Sequence, residues 1–201
     1  RATVVFRGEA DAVSLRHWIY GLESSQSLQR VGHTNLWYLV LEVPPRSRIE
    51  YKLEVHRGGH GQWIQDPLNP NRARDPFGAN SVLQGEGYEV PEWTRPDRQT
   101  RPGTLEPFSF HSRAFGAMRK GHIYLPARFR RSRQYPLLVV HDGSDYLNYT
   151  AMKTVLDNLI HRLEIPPLVA ALVQSPDRLR EYAADDRHAE FLVGELVPAP
   201  E

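Results

Sequence analysis

Between Ile49 and Val55 apolar and charged residues alternate without a break, Ile49, Tyr51, Leu53 and Val55 against Glu50, Lys52 and Glu54. A period of two sends successive side chains to opposite faces, so this segment is predicted to be a strand with one face buried. Asn35–Val43 is predicted as the strand before it. The Pro44-Pro45-Arg46-Ser47 reversal would then make the two a hairpin. Val4–Arg7 and Val13–Leu15 read as further short strands, and His56-Arg57-Gly58-Gly59-His60-Gly61 as a glycine-rich turn leading into Trp63 and Ile64. Short strands punctuated by turn residues over the first ninety or so positions predict a β-sandwich.

The pattern then changes. Glu92–Glu106 is rich in Pro, Arg, Thr and Asp and poor in apolar residues, which is how a linker reads. Beyond it come strand candidates at Phe108–His111 and Arg119–Leu125, and a continuously apolar one, Leu137–Val140, expected to be buried on both faces. Met152, Val155, Leu156, Leu159, Ile160 and Leu163 fall on one stripe at helical spacing, and Pro166-Pro167 is expected to end that helix. Leu168–Val173 reads as another buried strand and His188–Val197 as a second helix with Phe191, Leu192 and Leu196 on one side. Strand, helix, strand, helix is the opening of a parallel sheet with crossovers. The expected organisation is a sandwich over 1–91, a linker over 92–106 and an α/β unit over 107–201.

Composition narrows the function classes. The 201 residues are 40% hydrophobic and 24% charged with a formal net charge of +1, a balance that suits packed cores and argues against nucleic acid as the main partner. Only Arg128–Arg133 is locally basic, and it reads as a solvated loop between strands. Without cysteine there is no disulfide framework, thiolate nucleophile or cysteine zinc site. No run of about 20 apolar residues is present, so no spanning helix and no membrane partner are expected. The start at Arg1 reads as trimmed; a cytoplasmic location is the expectation, with periplasmic or secreted locations left open because an export signal would be lost with such a trim.

Candidate chemistry gathers after the third strand of the second unit, at His141-Asp142-Gly143-Ser144-Asp145-Tyr146. Ligands of open α/β sheets bind beyond the carboxyl ends of strands, and glycine there lets backbone N–H groups approach a ligand. A plain strand-ending turn is the alternative. Arg178, Glu181 and Tyr182 form an R-x-x-E-Y pattern: a planar fork suited to anionic or catecholate oxygens, or a surface Arg178–Glu181 pair. His56 and His60 are four apart, but Gly58-Gly59 between them speaks for a turn and against a zinc pair. His111, His122, His161 and His188 have no evident partners, and no metal or cofactor is expected. Trp18, Trp37 and Trp63 are read as packing residues with a sugar platform as the alternative, and Trp93 as a pin near the linker.

The run YPLLVVHDGSDYL, the helix containing LDNLI, the strand PPLVAALV, then DRLREY and ELVP resemble, in order, the enterochelin-esterase and esterase-D family. FRG, RVGHTNLWYL, DPLNP and DPFGANSVL are similar to that family's N-terminal sandwich, so the resemblance spans nearly the whole chain. It implies an immunoglobulin-like, early-set β-sandwich followed by the first half of an α/β-hydrolase domain, and a Ser-His-Asp esterase acting on small ester substrates such as a ferric siderophore trilactone. Feruloyl-type carbohydrate esterases and a non-catalytic binding fragment are the alternatives. The family's serine sits on a G-x-S-x-G turn. That turn is absent here: Gly143-Ser144-Asp145-Tyr146 lacks the second glycine and lies one strand too early. The resemblance therefore implies that the triad lies beyond these residues, and that Gly143 or Ser144 lends an oxyanion N–H while Arg178, Glu181 and Tyr182 face substrate. An α/β half ending there would leave an open sheet edge, so a missing C-terminal half or self-association is expected to cover it.

Overall fold

The alternating segments of the N-terminal residues become two antiparallel sheets around one core. The computed structural model describes residues 1–19 and 23–198, in two units, Arg1–Val90 and Pro91–Glu201. In the first, β1 (Ala2–Arg7), β4 (Gln29–Arg30) and β5 (Leu36–Leu41) form a sheet ordered β1-β5-β4. The other sheet runs β3 (Ser25–Ser27), β2 (Ala12–His17), β6 (Arg48–Arg57), β9 (Gly78–Gln84), β8 (Arg72–Asp75), with β7 (His60–Ile64) also on β6. Val4 and Phe6 of one sheet pack with Val13, Leu15, Tyr51, Leu53 and Val55 of the other, together with Leu28 and Trp37.

The expected hairpin of the two central strands does not form. β5 pairs with β1 and β4, whereas β6 pairs with β2, β7 and β9. The intervening Pro44 and Pro45 have no N–H to carry a ladder. Arg46 N–H instead donates to Glu86 O and Gly85 N–H to Ser47 O, at 2.9 Å each. The chain thus changes sheets at the prolines, and each strand still turns its apolar set inward. The true hairpin is β6–β7. Gly58 and Gly59 have φ of +56° and +79°, the two left-handed positions a two-residue turn demands, with Arg57 opposite His60. His56 faces Gly61 across that hairpin and lies 3.6 Å from the Glu54 carboxylate, and His60 Nδ1 is 3.1 Å from Gly58 O. Trp37 is core and donates to Gly8 O, whereas Trp18 and Trp63 lie exposed with ring centres 5.9 Å apart.

The second unit is a mixed sheet ordered β10 (Thr104–Ser112), β11 (Ala117–Leu125), β13 (Val169–Val173), β12 (Leu137–Val140). β12 and β13 are parallel, joined through α1 (Gly143–Tyr149) and α2 (Met152–His161); the other pairs are antiparallel. Then follow α3 (Arg178–Glu181) and α4 (Asp186–Glu190), which runs into a π-helical stretch, Phe191–Leu196. β13 is buried on both faces: Ala170 and Leu172 meet Tyr124, Val140, Leu156 and Ile160, and Ala171 and Val173 meet Phe191 and Leu196. β12, expected to be equally buried, keeps Leu137 and Leu138 exposed, because β13 is its one neighbour among the described residues.

Two further expectations are corrected. Helix α2 stops before the prolines: Leu163 adopts φ +60°, its side chain is exposed, and Glu164 N–H closes back on Leu159 O, a left-handed cap that ends the helix locally. The segment read as a linker is pinned within the second unit. Asn158 Nδ2 donates to Trp93 O and Arg95 O at 2.8 Å each, and Gly103 N–H donates to Asp157 Oδ1 at 2.7 Å. The bonds go to main-chain atoms, which composition does not reveal. Asp157 also accepts from Tyr124 Oη and Lys153 Nζ, and burial pushes the Tyr124 phenol well above its usual range.

Candidate active-site loop

β12 and β13 run parallel, so their carboxyl ends open onto the same side, with His141-Asp142-Gly143 after one and Gln174-Ser175 after the other. Asp142 makes the turn with φ 52° and ψ 36°, a left-handed conformation that Asp tolerates better than most residues. The residues expected to be loop from Gly143 onward instead start helix α1 immediately afterwards.

Gly143 is buried against β13. A Cβ at this position would stand 2.5 Å from Leu172 Cβ and 2.7 Å from the Leu172 backbone, closer than atoms pack. Only glycine lets the first turn of α1 sit so near the sheet. Of the two predicted N–H donors, that of Ser144 is engaged by Gln174 Oε1 at 3.1 Å. The Gly143 N–H is the one Gln174 leaves alone.

The loop is held from α3. Arg178 Nη2 is 3.2 Å from Asp142 Oδ2, and Tyr182 Oη accepts from Asp142 N–H and donates to Asp142 Oδ1, at 3.3 Å each. Burial raises the Tyr182 pKa, which keeps the hydroxyl able to donate at neutral pH. Arg178 and Tyr182 thus converge on the predicted loop. Glu181 does not: it turns inward, 6% exposed, and takes Arg119 through two bonds, Nη2 to Oε1 at 2.7 Å and Nη1 to Oε2 at 3.2 Å. Neither a substrate contact nor a surface pair with Arg178 describes it. One helical turn cannot aim adjacent residues 181 and 182 at the same place, and the inward one found the buried cation.

Sequence reasoning missed what surrounds this pair. The Arg119 guanidinium lies 3.7 Å from the centre of the Phe115 ring, and His188 stands within 5.0 to 6.4 Å, ring centre to ring centre, of His141, Tyr182, Phe191 and Phe115. Both ring nitrogens of His188 are buried without a hydrogen-bond partner. Burial, then the neighbouring His141, lowers the His188 pKa from its ordinary 6.5, with Arg119 acting the same way and Glu181 and Asp185 opposing. The unfolded chain therefore takes up this proton at a higher pH than the folded one. The contribution of His188 to stability is complete above about pH 7 and is lost as pH falls below 6.5 towards the depressed value. We expect urea midpoints for the second unit to fall between pH 7.5 and pH 5.5, and His188→Phe to flatten that fall. An unchanged slope in the variant would assign it to other groups.

The chain is similar to known esterases. Residues 112–194 match the family model described as putative esterase. The iron(III) enterobactin esterase of Escherichia coli (strain K12) is 25% identical over 206 residues, covering 86% of this chain and 49% of that protein. The ferric enterobactin esterase of Salmonella typhimurium superposes with a TM-score of 0.71 at 20% identity, over 98% of this chain and 59% of that one. An enterobactin esterase of Shigella flexneri, crystallised in the presence of enterobactin, gives 0.67 at 22% identity, over 98% and 58%. The chain therefore spans about half to three-fifths of the length of these relatives. The chain thus carries a segment that matches the esterase family model, shares its fold with these enterobactin esterases and is similar in sequence to one of them.

Proposed function

We propose that these residues are the front part of a serine esterase that hydrolyses the ester bonds of a siderophore trilactone, an early-set-type sandwich followed by the first half of an α/β-hydrolase domain. The observation that carries the reading is Gly143, whose backbone sits at the end of a parallel strand where no Cβ fits. An N–H fixed there suits the oxygen that becomes negative when an ester carbonyl is attacked. Arg178, half exposed and anchored on Asp142, stands beside it as a cation for catecholate oxygens. The 201 residues contain no G-x-S-x-G turn, so in this reading the serine, acid and histidine come from residues outside them.

The test has two arms. The 201-residue chain is expected to give no turnover of p-nitrophenyl esters and no adduct with a fluorophosphonate. The complete polypeptide that contains these residues is expected to open a catecholate trilactone, free or ferric, faster than it cleaves a feruloylated sugar. Labelling of Ser144 in the 201-residue chain would overturn the assignment of the nucleophile. A preference for the feruloylated sugar would overturn the assignment of the substrate.

A further inference from the structure

We propose that the loop between β11 and β12 is a docking surface for an anionic lipid surface. Arg128, Arg130, Arg131 and Arg133 are all exposed, and none is within salt-bridge distance of a carboxylate among the described residues. From Pro107 to His141 the chain carries no Asp or Glu at all. Elsewhere in the same unit cations are neutralised at close range: Arg119 by Glu181, Lys153 by Asp157, Arg162 by Glu92, Arg178 by Asp142 and Arg187 by Asp185. Other cations of the unit also lack such a partner, but Arg95, Arg98 and Arg101 flank Asp97 and Lys120 and Arg180 stand apart, whereas these four lie within six residues with no acid near them in the chain.

That tip is built, which a merely solvated run would not require. Phe129 and Tyr135 pack with ring centres 5.1 Å apart, and Arg130 N–H donates to Tyr135 Oη at 3.0 Å. Phe129 N–H closes on Pro126 O and Arg133 N–H on Arg130 O, and the Arg133 guanidinium lies 5.3 Å from the Tyr135 ring centre. Arginine forks suit phosphodiester oxygens, and an aromatic base suits the headgroup layer. The four charges sit on one short loop over an aromatic pair, a point of contact that fits a flat surface of phosphates. Among the described residues no helix is long and apolar enough to cross a membrane, and docking of this kind is peripheral. β12 leads away from the loop, so Gly143 would lie about 20 Å along the strand direction from the lipid and remain open to solvent.

The proposal does not depend on the esterase reading, and its test measures binding alone. The 201-residue chain is sedimented with phosphatidylcholine vesicles, with and without phosphatidylglycerol, at low and high salt. Binding is expected only with phosphatidylglycerol and is expected to vanish near 1 M salt, where screening acts within about 3 Å. Arg130→Gln/Arg131→Gln/Arg133→Gln should lower the partition coefficient on the order of a hundredfold. Arg7→Gln/Arg74→Gln/Arg98→Gln removes equal charge elsewhere and should leave it within about twofold. Circular dichroism melts of both variants check folding. Equal losses in the two variants, or no preference for phosphatidylglycerol, would overturn the proposal. So would tighter binding to single-stranded DNA or polyglutamate, which would make the partner a polymer.

Discussion

Replacing Glu181 by alanine is expected to destabilise the second unit by about 3–5 kcal/mol, the cost of leaving a buried guanidinium without its counter-charge. Both side chains are 7% exposed, and the two bonds between them span 62 residues of sequence. Arg119 cannot swing out to water cheaply, because its fork rests on Phe115 and its Nε is already buried without a partner. Replacing both members by apolar residues, as in Arg119→Met/Glu181→Leu, should recover most of the loss. A buried pair is held in place by the penalty for breaking it more than by its net attraction. Denaturant unfolding followed by amide exchange of β11 and β13 measures both. A loss below about 1 kcal/mol in the single variant would show that solvent reaches the guanidinium.

Gly143→Ala is the second large effect. The added methyl would overlap Leu172 side chain and backbone together, so the start of α1 has to move outward. Overpacking of this kind costs about 1–3 kcal/mol. If the Gly143 N–H serves as the oxyanion donor proposed above, the same displacement in the complete polypeptide should lower kcat by about a hundredfold to a thousandfold, with KM little changed. Ser144→Ala is the matched control. It keeps both backbone N–H groups and the Gln174 contact, and should hydrolyse ester at close to the unaltered rate. A large loss in Ser144→Ala would instead assign chemistry to its hydroxyl.

These two positions also mark what could be read in the residues and what could not. The tight turn at Gly143 was legible because its signal is local: an apolar strand, then Asp-Gly. The Arg119–Glu181 pair was invisible because neither residue signals its partner from so far away. The two-sheet first unit followed from strand periodicity, but which strands pair did not. Alternation tells which side of a strand is buried and is silent about its neighbours, so β5 and β6 looked like a hairpin while belonging to opposite sheets. Helix α2 was read correctly along its stripe and wrongly at its end, because the left-handed turn at Leu163 has no glycine to announce it.

The bonds from Asn158 and Asp157 to the backbone of Trp93, Arg95 and Gly103 reach beyond the stability of one helix. They fix where the second unit can be separated or grafted. A cut placed by composition, after Glu106, would strip the buried Asn158 amide of both acceptors and Asp157 of a donor, leaving polar atoms in a core with nothing to bond. The modular edge lies ahead of Pro91, and the thirteen residues from there to Gly103, though mostly exposed, travel with the second unit because their main chain completes its buried hydrogen bonds.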